Sequence, residues 1–206
     1  MPLLEHALGR ALAAPEVRHV VVVAPASHLA EAGAIASRAA RPDDVDVVAG
    51  GAERADSVAA GLTALRADDG IVLVHDAARA LAPAGLFSRL VREVRNGHPA
   101  VVPGLPVHDT IKSVDAAGRV IATPDRSALR AVQTPQAFLR EVLEHAHTTA
   151  TSSHPTGAGS HATDDATLVE RVGGHVRVVD GDALAFKITT ADDLATAERH
   201  LAGASP

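Results

Sequence analysis

Short apolar runs alternate along the chain with stretches whose apolar residues recur every third or fourth position. Residues 20–23, 45–48 and 71–74 have strand length and are almost wholly valine, isoleucine and leucine. Residues 3–12 read as an opening helix through Leu4, Leu8 and Ala11 or Leu12, residues 29–40 as a second, and residues 57–65 as a third through Val58, Gly61 or Leu62, and Leu65. Strands that are apolar throughout, separated by helices, predict a parallel sheet covered on both faces. The pattern therefore gives an α/β class. A helix at the start is unusual, because it normally returns from a first strand and its phosphate-cradling turn, so both are expected upstream.

The middle of the chain changes character. Residues 110–114 and 119–122 flank the turn-like Asp115-Ala116-Ala117-Gly118 and predict a β-hairpin, an arm spanning about 107–125 inserted into the core. A helix is expected over 136–147, followed by an aperiodic loop over 148–162 rich in Ser, Thr, Gly and His. A helix over 164–172, strands at 176–179 and 184–188, and a helix over 191–201 complete the pattern. No internal repeat is visible.

Composition narrows the class. With 206 residues, 47% of them hydrophobic, the chain suits one domain over 1–206. It holds three Phe and no Trp or Tyr, so its core must be built from small aliphatic side chains. A formal charge of −6 argues against nucleic acid as a partner, which calls for a basic face. Without cysteine there is no disulfide, thiolate nucleophile or cysteine-ligated zinc, and a cytoplasmic location is expected. The longest apolar runs are strand-sized, and no membrane association is expected.

Candidate chemistry lies where strands end. Val74-His75-Asp76-Ala77-Ala78-Arg79 follows a strand directly, at the carboxyl edge where open α/β sheets bind ligands. A carboxylate and a guanidinium there suit a magnesium-bound phosphate and an anion; equally, Asp76 could cap the next turn and Arg79 lie on the surface. The glycines Gly50 and Gly51 let a backbone approach a base or ribose, or simply turn a strand into a helix. Lys187, between Phe186 and Ile188, faces away from both, toward a substrate phosphate or as an edge-strand lysine. Thr163 with Asp164 and Asp165, and Thr190 with Asp193, suit helix N-termini. The twelve His include no HExxH pair, and no GxSxG elbow supplies a nucleophile.

Taken in order, these segments resemble one family. Gly50-Gly51-Ala52-Glu53-Arg54-Ala55-Asp56-Ser57-Val58, Val74-His75-Asp76-Ala77-Ala78-Arg79, Asp109-Thr110-Ile111-Lys112, Asp125-Arg126, Gln133-Thr134-Pro135-Gln136, Thr163-Asp164-Asp165 and Phe186-Lys187-Ile188-Thr189 are similar to the successive motifs of methylerythritol phosphate cytidylyltransferases. The resemblance spans the chain except residues 148–162. It implies a Rossmann-like nucleotidyltransferase sheet with helices on both faces, and a β-hairpin dimerisation arm that embraces the partner of a homodimer. It also implies transfer of a cytidylyl group from CTP to 2-C-methyl-D-erythritol 4-phosphate, a sugar-alcohol phosphate, with Mg2+ or another divalent cation.

By the same resemblance Gly51, Ala52, Ser57, Asp76 and Ala77 fall at CTP-site positions, and Asp76 lies close to the metal. Arg79, Thr110, Arg126, Thr134, Thr163 and Lys187 match positions around the methylerythritol phosphate. Arg126 and Lys187, from different subunits, hold the attacking phosphate and with Asp76 form the catalytic set. The family begins with a strand, a glycine-rich turn and a Pro-Lys segment, which are not in this sequence. It also commonly has Pro at Ala80 and Asn at Ala185. Two alternatives follow: a catalytically impaired dimeric nucleotide-binding remnant, and a cytidylyltransferase whose acceptor is ribitol 5-phosphate.

Overall fold

The computed structural model of the protein describes residues 1–153 and 163–203. Its first half follows the apolar pattern closely. Helix α1 (Leu3–Leu12) leads to β1 (Val20–Ala24), α2 (Leu29–Ala36), β2 (Val45–Ala49), α3 (Arg54–Thr63) and β3 (Ile71–Val74). Strands β1 and β2 pair in parallel from Val20 with Val45 to Ala24 with Ala49.

The next elements are α4 (Ala84–Arg95), β4 (Ala100–Pro106), the hairpin β5 (Ser113–Val114) and β6 (Val120–Ala122), then β7 (Arg130–Val132) and β8 (Gln136–Leu139). Helices α5 (Arg140–Ser153) and α6 (Asp165–Arg171), strand β9 (Arg177–Asp180) and helix α7 (Ala191–Gly203) follow. Strand β8 lies between β3 and β4, antiparallel to both. Val101 of β4 faces Ala137 of β8 and Arg177 of β9, while Gly104 faces Val132 of β7 and Asp180 of β9. Thus β7 and β8 run along one side of β4, and β9 runs parallel to it on the other.

Alternation along these strands builds two cores. Val101 and Ala137 pack with Leu86, Phe87, Leu90 and Val94 of α4 and with Ala11 of α1. Their neighbours Ala100, Val102 and Phe138 point the opposite way, onto Leu62 of α3, Leu143 of α5 and Leu168 and Val169 of α6. Helices therefore cover both faces, as expected. None of the described helices is long and apolar enough to cross a membrane.

Four expectations are corrected. The sheet is mixed rather than parallel, because β7 and β8 return along β4 without a crossover helix. The helix expected over 136–147 starts only at Arg140; Gln136–Leu139 forms β8, where Phe138 and Ala137 fill both cores. Part of the loop expected over 148–162 is helical to Ser153, and residues 154–162 lie outside the described residues. The segment expected as a strand over 184–188 is a 3-10 turn at Ala183–Ala185 followed by extended backbone, whose Ile188 N–H donates to Ala78 O at 2.8 Å rather than to a sheet.

The expected hairpin is present. Asp115 fixes its turn by accepting from Ala117 N at 2.9 Å and Arg119 N at 3.0 Å, and Gly118 takes the left-handed φ of 79° that closes it. Lys112 Nζ donates to Thr123 Oγ1 at 2.8 Å across the arm. Val114, Val120 and Ile121 on this arm are exposed.

Phe138 is fully buried at the centre of the sheet. Truncation of this residue, Phe138→Ala, is expected to lower the unfolding free energy by about 3–5 kcal/mol and Phe138→Leu by clearly less. Urea unfolding followed by circular dichroism measures both.

Candidate active site

Strand β3 ends at Val74, and the chain turns at once to bring Asp76 to the carboxyl edge of the sheet. Asp76 N–H donates to Thr134 Oγ1 at 3.0 Å, so the segment between β7 and β8 holds the turn from behind. Thr134 Oγ1 also lies 3.2 Å from Nδ1 of His75. The His75 ring meets Phe87 edge to face at 5.1 Å. Burial pushes its pKa down to about 4, so this imidazole is neutral near pH 7 and serves as packing and a hydrogen-bond partner.

Two cations flank the Asp76 carboxylate. Lys187 Nζ lies 3.2 Å from Oδ2, and Arg54 Nε lies 3.7 Å from Oδ1. The Lys187 side chain is 50% exposed and Asp76 22%, so the pair sits at an open rim. Arg54 reaches further inward, where its Nη2 lies 2.7 Å from Oδ2 of Asp165. Asp165 has no exposed surface, and its other oxygen lies 2.9 Å from Nε2 of His147 on α5. Burial weakens the charged form of Arg54, but the pull of Asp165, Asp76 and Asp164 outweighs it and raises the guanidinium pKa.

Asp164 is fixed in the same network. Its side chain caps α6 by accepting from Thr167 N at 3.0 Å, and it accepts from Gln136 Nε2 at 2.8 Å. Burial opposes its ionisation, but the hydrogen bonds from Thr167 and Gln136 and the charge of Arg54 prevail and lower its pKa. The fully buried Gln136 also accepts from Ala166 N–H at 3.2 Å. Thr163 is exposed and directly precedes this capped helix start.

The β2–α3 turn carries Gly51, Ala52 and Ser57. Gly51 N–H donates to Ser57 Oγ at 3.2 Å, and Ser57 Oγ–H donates to Glu53 O at 3.1 Å. A Cβ on Gly51 would collide with the Asp56 side chain, and one on Gly50 would lie 2.6 Å from Ser57 Oγ. The two glycines are thus required by the fold of the turn itself. Arg54, the first residue of α3, joins this turn to Asp76.

Arg79 reaches two backbone carbonyls: its Nη1 donates to Ala185 O at 2.7 Å and its Nη2 to Val132 O at 3.4 Å, while its buried Nε has no hydrogen-bond partner among the described residues. Burial, opposed by Asp76, lowers its pKa. With Ile188 N–H bonded to Ala78 O, Arg79 fastens the segment that delivers Lys187 to Asp76.

The structure therefore gathers Asp76, Ala77, Arg79, Thr134 and Lys187, and links them through Arg54 to Gly51, Ala52 and Ser57 and, through Asp165, to the segment after Thr163. Thr110 and Arg126 lie apart, at the arm. Arg126 follows Asp125, which caps a 3-10 turn by accepting from Ser127 N at 3.0 Å, and its guanidinium donates to His108 O. Among the described residues, no hydrogen bond or ion pair of Arg126 reaches the Asp76 cluster. Sequence reasoning gave no role to Arg54 or His147 and read Asp165 only as part of a helix N-terminus. A carboxylate inside the apolar helix Asp165-Ala166-Thr167-Leu168-Val169 was the signal, since a buried charge needs a partner.

Asp76 retains access to solvent, unlike Asp165. No group of three or more His, Cys, Asp or Glu that could hold a metal occurs among the described residues. One accessible carboxylate without a protein cage suits a hard cation that keeps most of its ligands as water and substrate phosphate, the usual manner of magnesium.

Comparison with known proteins agrees with this geometry. Residues 1–202 match the family model described as 2-C-methyl-D-erythritol 4-phosphate cytidylyltransferase. The chain is 52% identical over 197 residues to the 2-C-methyl-D-erythritol 4-phosphate cytidylyltransferase of Nocardia farcinica, covering 96% of this chain and 80% of that one. It is also 52% identical over 202 residues to the "Bifunctional enzyme IspD/IspF" of Clavibacter michiganensis, covering 97% of this chain but 47%, about half, of that relative. The crystal structure of 4-diphosphocytidyl-2C-methyl-D-erythritol synthase from Anaerococcus prevotii superimposes with a TM-score of 0.86 at 27% identity, covering 98% of this chain and 86% of the other.

Stability separates the two carboxylates. Asp165→Ala leaves the buried His147 without its partner and the partly exposed Arg54 with Asp76 alone, and should cost about 1–3 kcal/mol. Asp76→Asn, at the rim, should change stability by no more than about 1 kcal/mol. Urea unfolding of both variants at pH 7 measures the contrast.

Proposed function

The chain belongs to the 2-C-methyl-D-erythritol 4-phosphate cytidylyltransferase family, and on that premise we propose how its residues carry out cytidylyl transfer from CTP to 2-C-methyl-D-erythritol 4-phosphate. The observation that carries the reading is Asp76 at the carboxyl edge of β3, flanked by Arg54 and Lys187. A phosphate oxygen of the acceptor attacks the α-phosphorus of CTP, the bond to the β-phosphate oxygen breaks, and pyrophosphate departs with that electron pair. No side chain needs to become covalently attached. Alignment and neutralisation of crowded negative charge suffice, and both come from fixed groups.

The roles follow from position. The turn with Gly51, Ala52 and Ser57 meets the cytidine, and Ala77 extends that surface beside Asp76. Asp76 would hold a divalent cation, Mg2+ or a similar ion, which when bound neutralises CTP phosphate charge. Lys187 leaves Asp76 for the acceptor phosphate, a stronger anionic partner at the same rim. Thr134 holds the Asp76 backbone, Arg79 braces the Lys187 segment, and Thr163 lines the acceptor side.

Arg126 and Thr110 act in trans. Their place on the arm, beside exposed Val114, Val120 and Ile121, supports a homodimer in which the arm covers the partner's site. The described elements then work as one nucleotidyltransferase domain in the cytoplasm.

Pyrophosphate release from CTP and 2-C-methyl-D-erythritol 4-phosphate tests this. Lys187→Ala and Arg126→Ala should each lower kcat by roughly 100- to 1,000-fold with little change in melting temperature, as for loss of one electrostatic donor. Mixing the two inactive variants in equal amounts, with subunit exchange, should restore about one quarter of the wild-type rate, because half of the dimers then carry one intact site. No restoration in exchanged dimers would place both cations in the same subunit's site.

A further inference from the structure

The last bond between β9 and β4 is made by Gly181, whose N–H donates to Gly104 O at 3.0 Å, and there the chain leaves the sheet. The peptide groups of the next residue, Asp182, lie beyond the ladder, where donors and acceptors withdrawn from water need other partners. One side chain supplies both. Gln133 Oε1 accepts from Asp182 N–H at 3.0 Å, and Gln133 Nε2 donates to Asp182 O at 2.9 Å. An amide presents one acceptor and a donor side by side, so it pairs with the N–H and C=O of a single residue as a neighbouring antiparallel strand would. The fit is close: Gln133 is 4% exposed, and a Cβ on Gly181 would collide with its Oε1.

Gln133 is itself fixed, because its N–H donates to Pro103 O of β4 at 2.8 Å. The residue after it, Thr134, accepts from Asp76 N–H at 3.0 Å. Two adjacent residues therefore hold the two backbones that carry Lys187 and Asp76. From Asp182 onward the segment has little freedom. Asp182 Oδ1 accepts from Leu184 N–H at 2.9 Å, and Asp182 O accepts from Ala185 N–H at 3.0 Å as well as from Gln133. Ala185 O takes Arg79, and Ile188 N–H is bonded to Ala78 O. A shift of Asp182 would carry this turn with it, and the turn leads directly to Lys187.

We propose that Gln133 is a positioning residue for the transfer: with Thr134 it sets the spacing between Lys187 and Asp76, and so between the acceptor phosphate and the cation on CTP. This deepens the proposed function and rests on its assignment of Lys187 to the acceptor phosphate. Gln133 acts on neither substrate directly. Its effect on the rate passes through Lys187, whereas a merely structural role would act whether or not Lys187 is present.

The test is a double-mutant cycle in the 206-residue protein, read by pyrophosphate release and by calorimetric binding of 2-C-methyl-D-erythritol 4-phosphate. Gln133→Met keeps the length of the side chain and removes both bonds; Gln133→Glu keeps its shape and sets an oxygen against Asp182 O. Each should lower kcat/KM for the acceptor by about 10- to 100-fold, as a misplacement of about 1 Å does, and weaken acceptor binding, with CTP affinity unchanged. In a Lys187→Ala background each should cost less than about two-fold more. Equal losses in both backgrounds would overturn the proposal, as would wild-type rates in both variants or failure of both to fold. Lys187→Ala at the wild-type rate would remove the assignment of Lys187 and this proposal with it. Additive losses beside a slow Lys187→Ala protein would leave that assignment standing and remove the role of Gln133 alone.

Discussion

A carboxylate with no access to water dictates much of this molecule. Asp165 sits fully buried at the first turn of α6, where Arg54 of α3 and His147 of α5 meet its two oxygens at 2.7 and 2.9 Å. Withdrawing such a charge from water costs several kcal/mol, which close partners must offset. Three helices are thereby bound to one point. Arg54 is the residue that carries this constraint outward, since the same guanidinium faces Asp76 at the edge of the sheet.

The consequence is a site whose charged groups are set before any ligand arrives. Lys187 is delivered by a segment that Arg79 and the Ala78 carbonyl hold in place, and Asp76 is held by Thr134. At the rim the fit is looser. Lys187 and Asp76 neutralise one another while partly exposed to water, a weak pairing that phosphate and a divalent cation can replace with stronger ones. Rigid burial inside and exchangeable pairing outside suit a reaction whose demand is alignment of two highly charged substrates.

Much of this was legible in the sequence where local pattern and tertiary role agree. Strands β1, β3 and, apart from exposed Asp46 and Ala49, β2 are short apolar runs packed against helices, and their bounds are read to within a residue. The arm was legible because Asp115 and Gly118 are the residues its turn demands. Helix α4 carries an equally plain signal in Leu86, Phe87, Leu90, Val91 and Val94, although no element was assigned there. Strand β4 is hidden by Pro103 and Gly104, which usually break strands, yet Pro103 O accepts from Gln133 N and Gly104 allows Arg130 and Val178 to approach closely. Alternation of Leu184, Phe186 and Ile188 imitates a strand, but what it pairs with is the Asp76–Arg79 loop. Ordered motifs located Asp76, Thr134 and Lys187. The Arg54–Asp165–His147 connection joins residues far apart in the chain, and local periodicity has no means of expressing it.

Central to the account is that Asp76 is the group through which a divalent cation joins CTP to the protein. Calorimetric titration of CTP, with and without Mg2+, into the wild-type protein and Asp76→Asn tests this directly. The wild type should bind CTP more tightly with Mg2+ than without, and the variant should lose that gain while keeping its melting temperature. An equal Mg2+ gain in a folded Asp76→Asn protein would contradict the account.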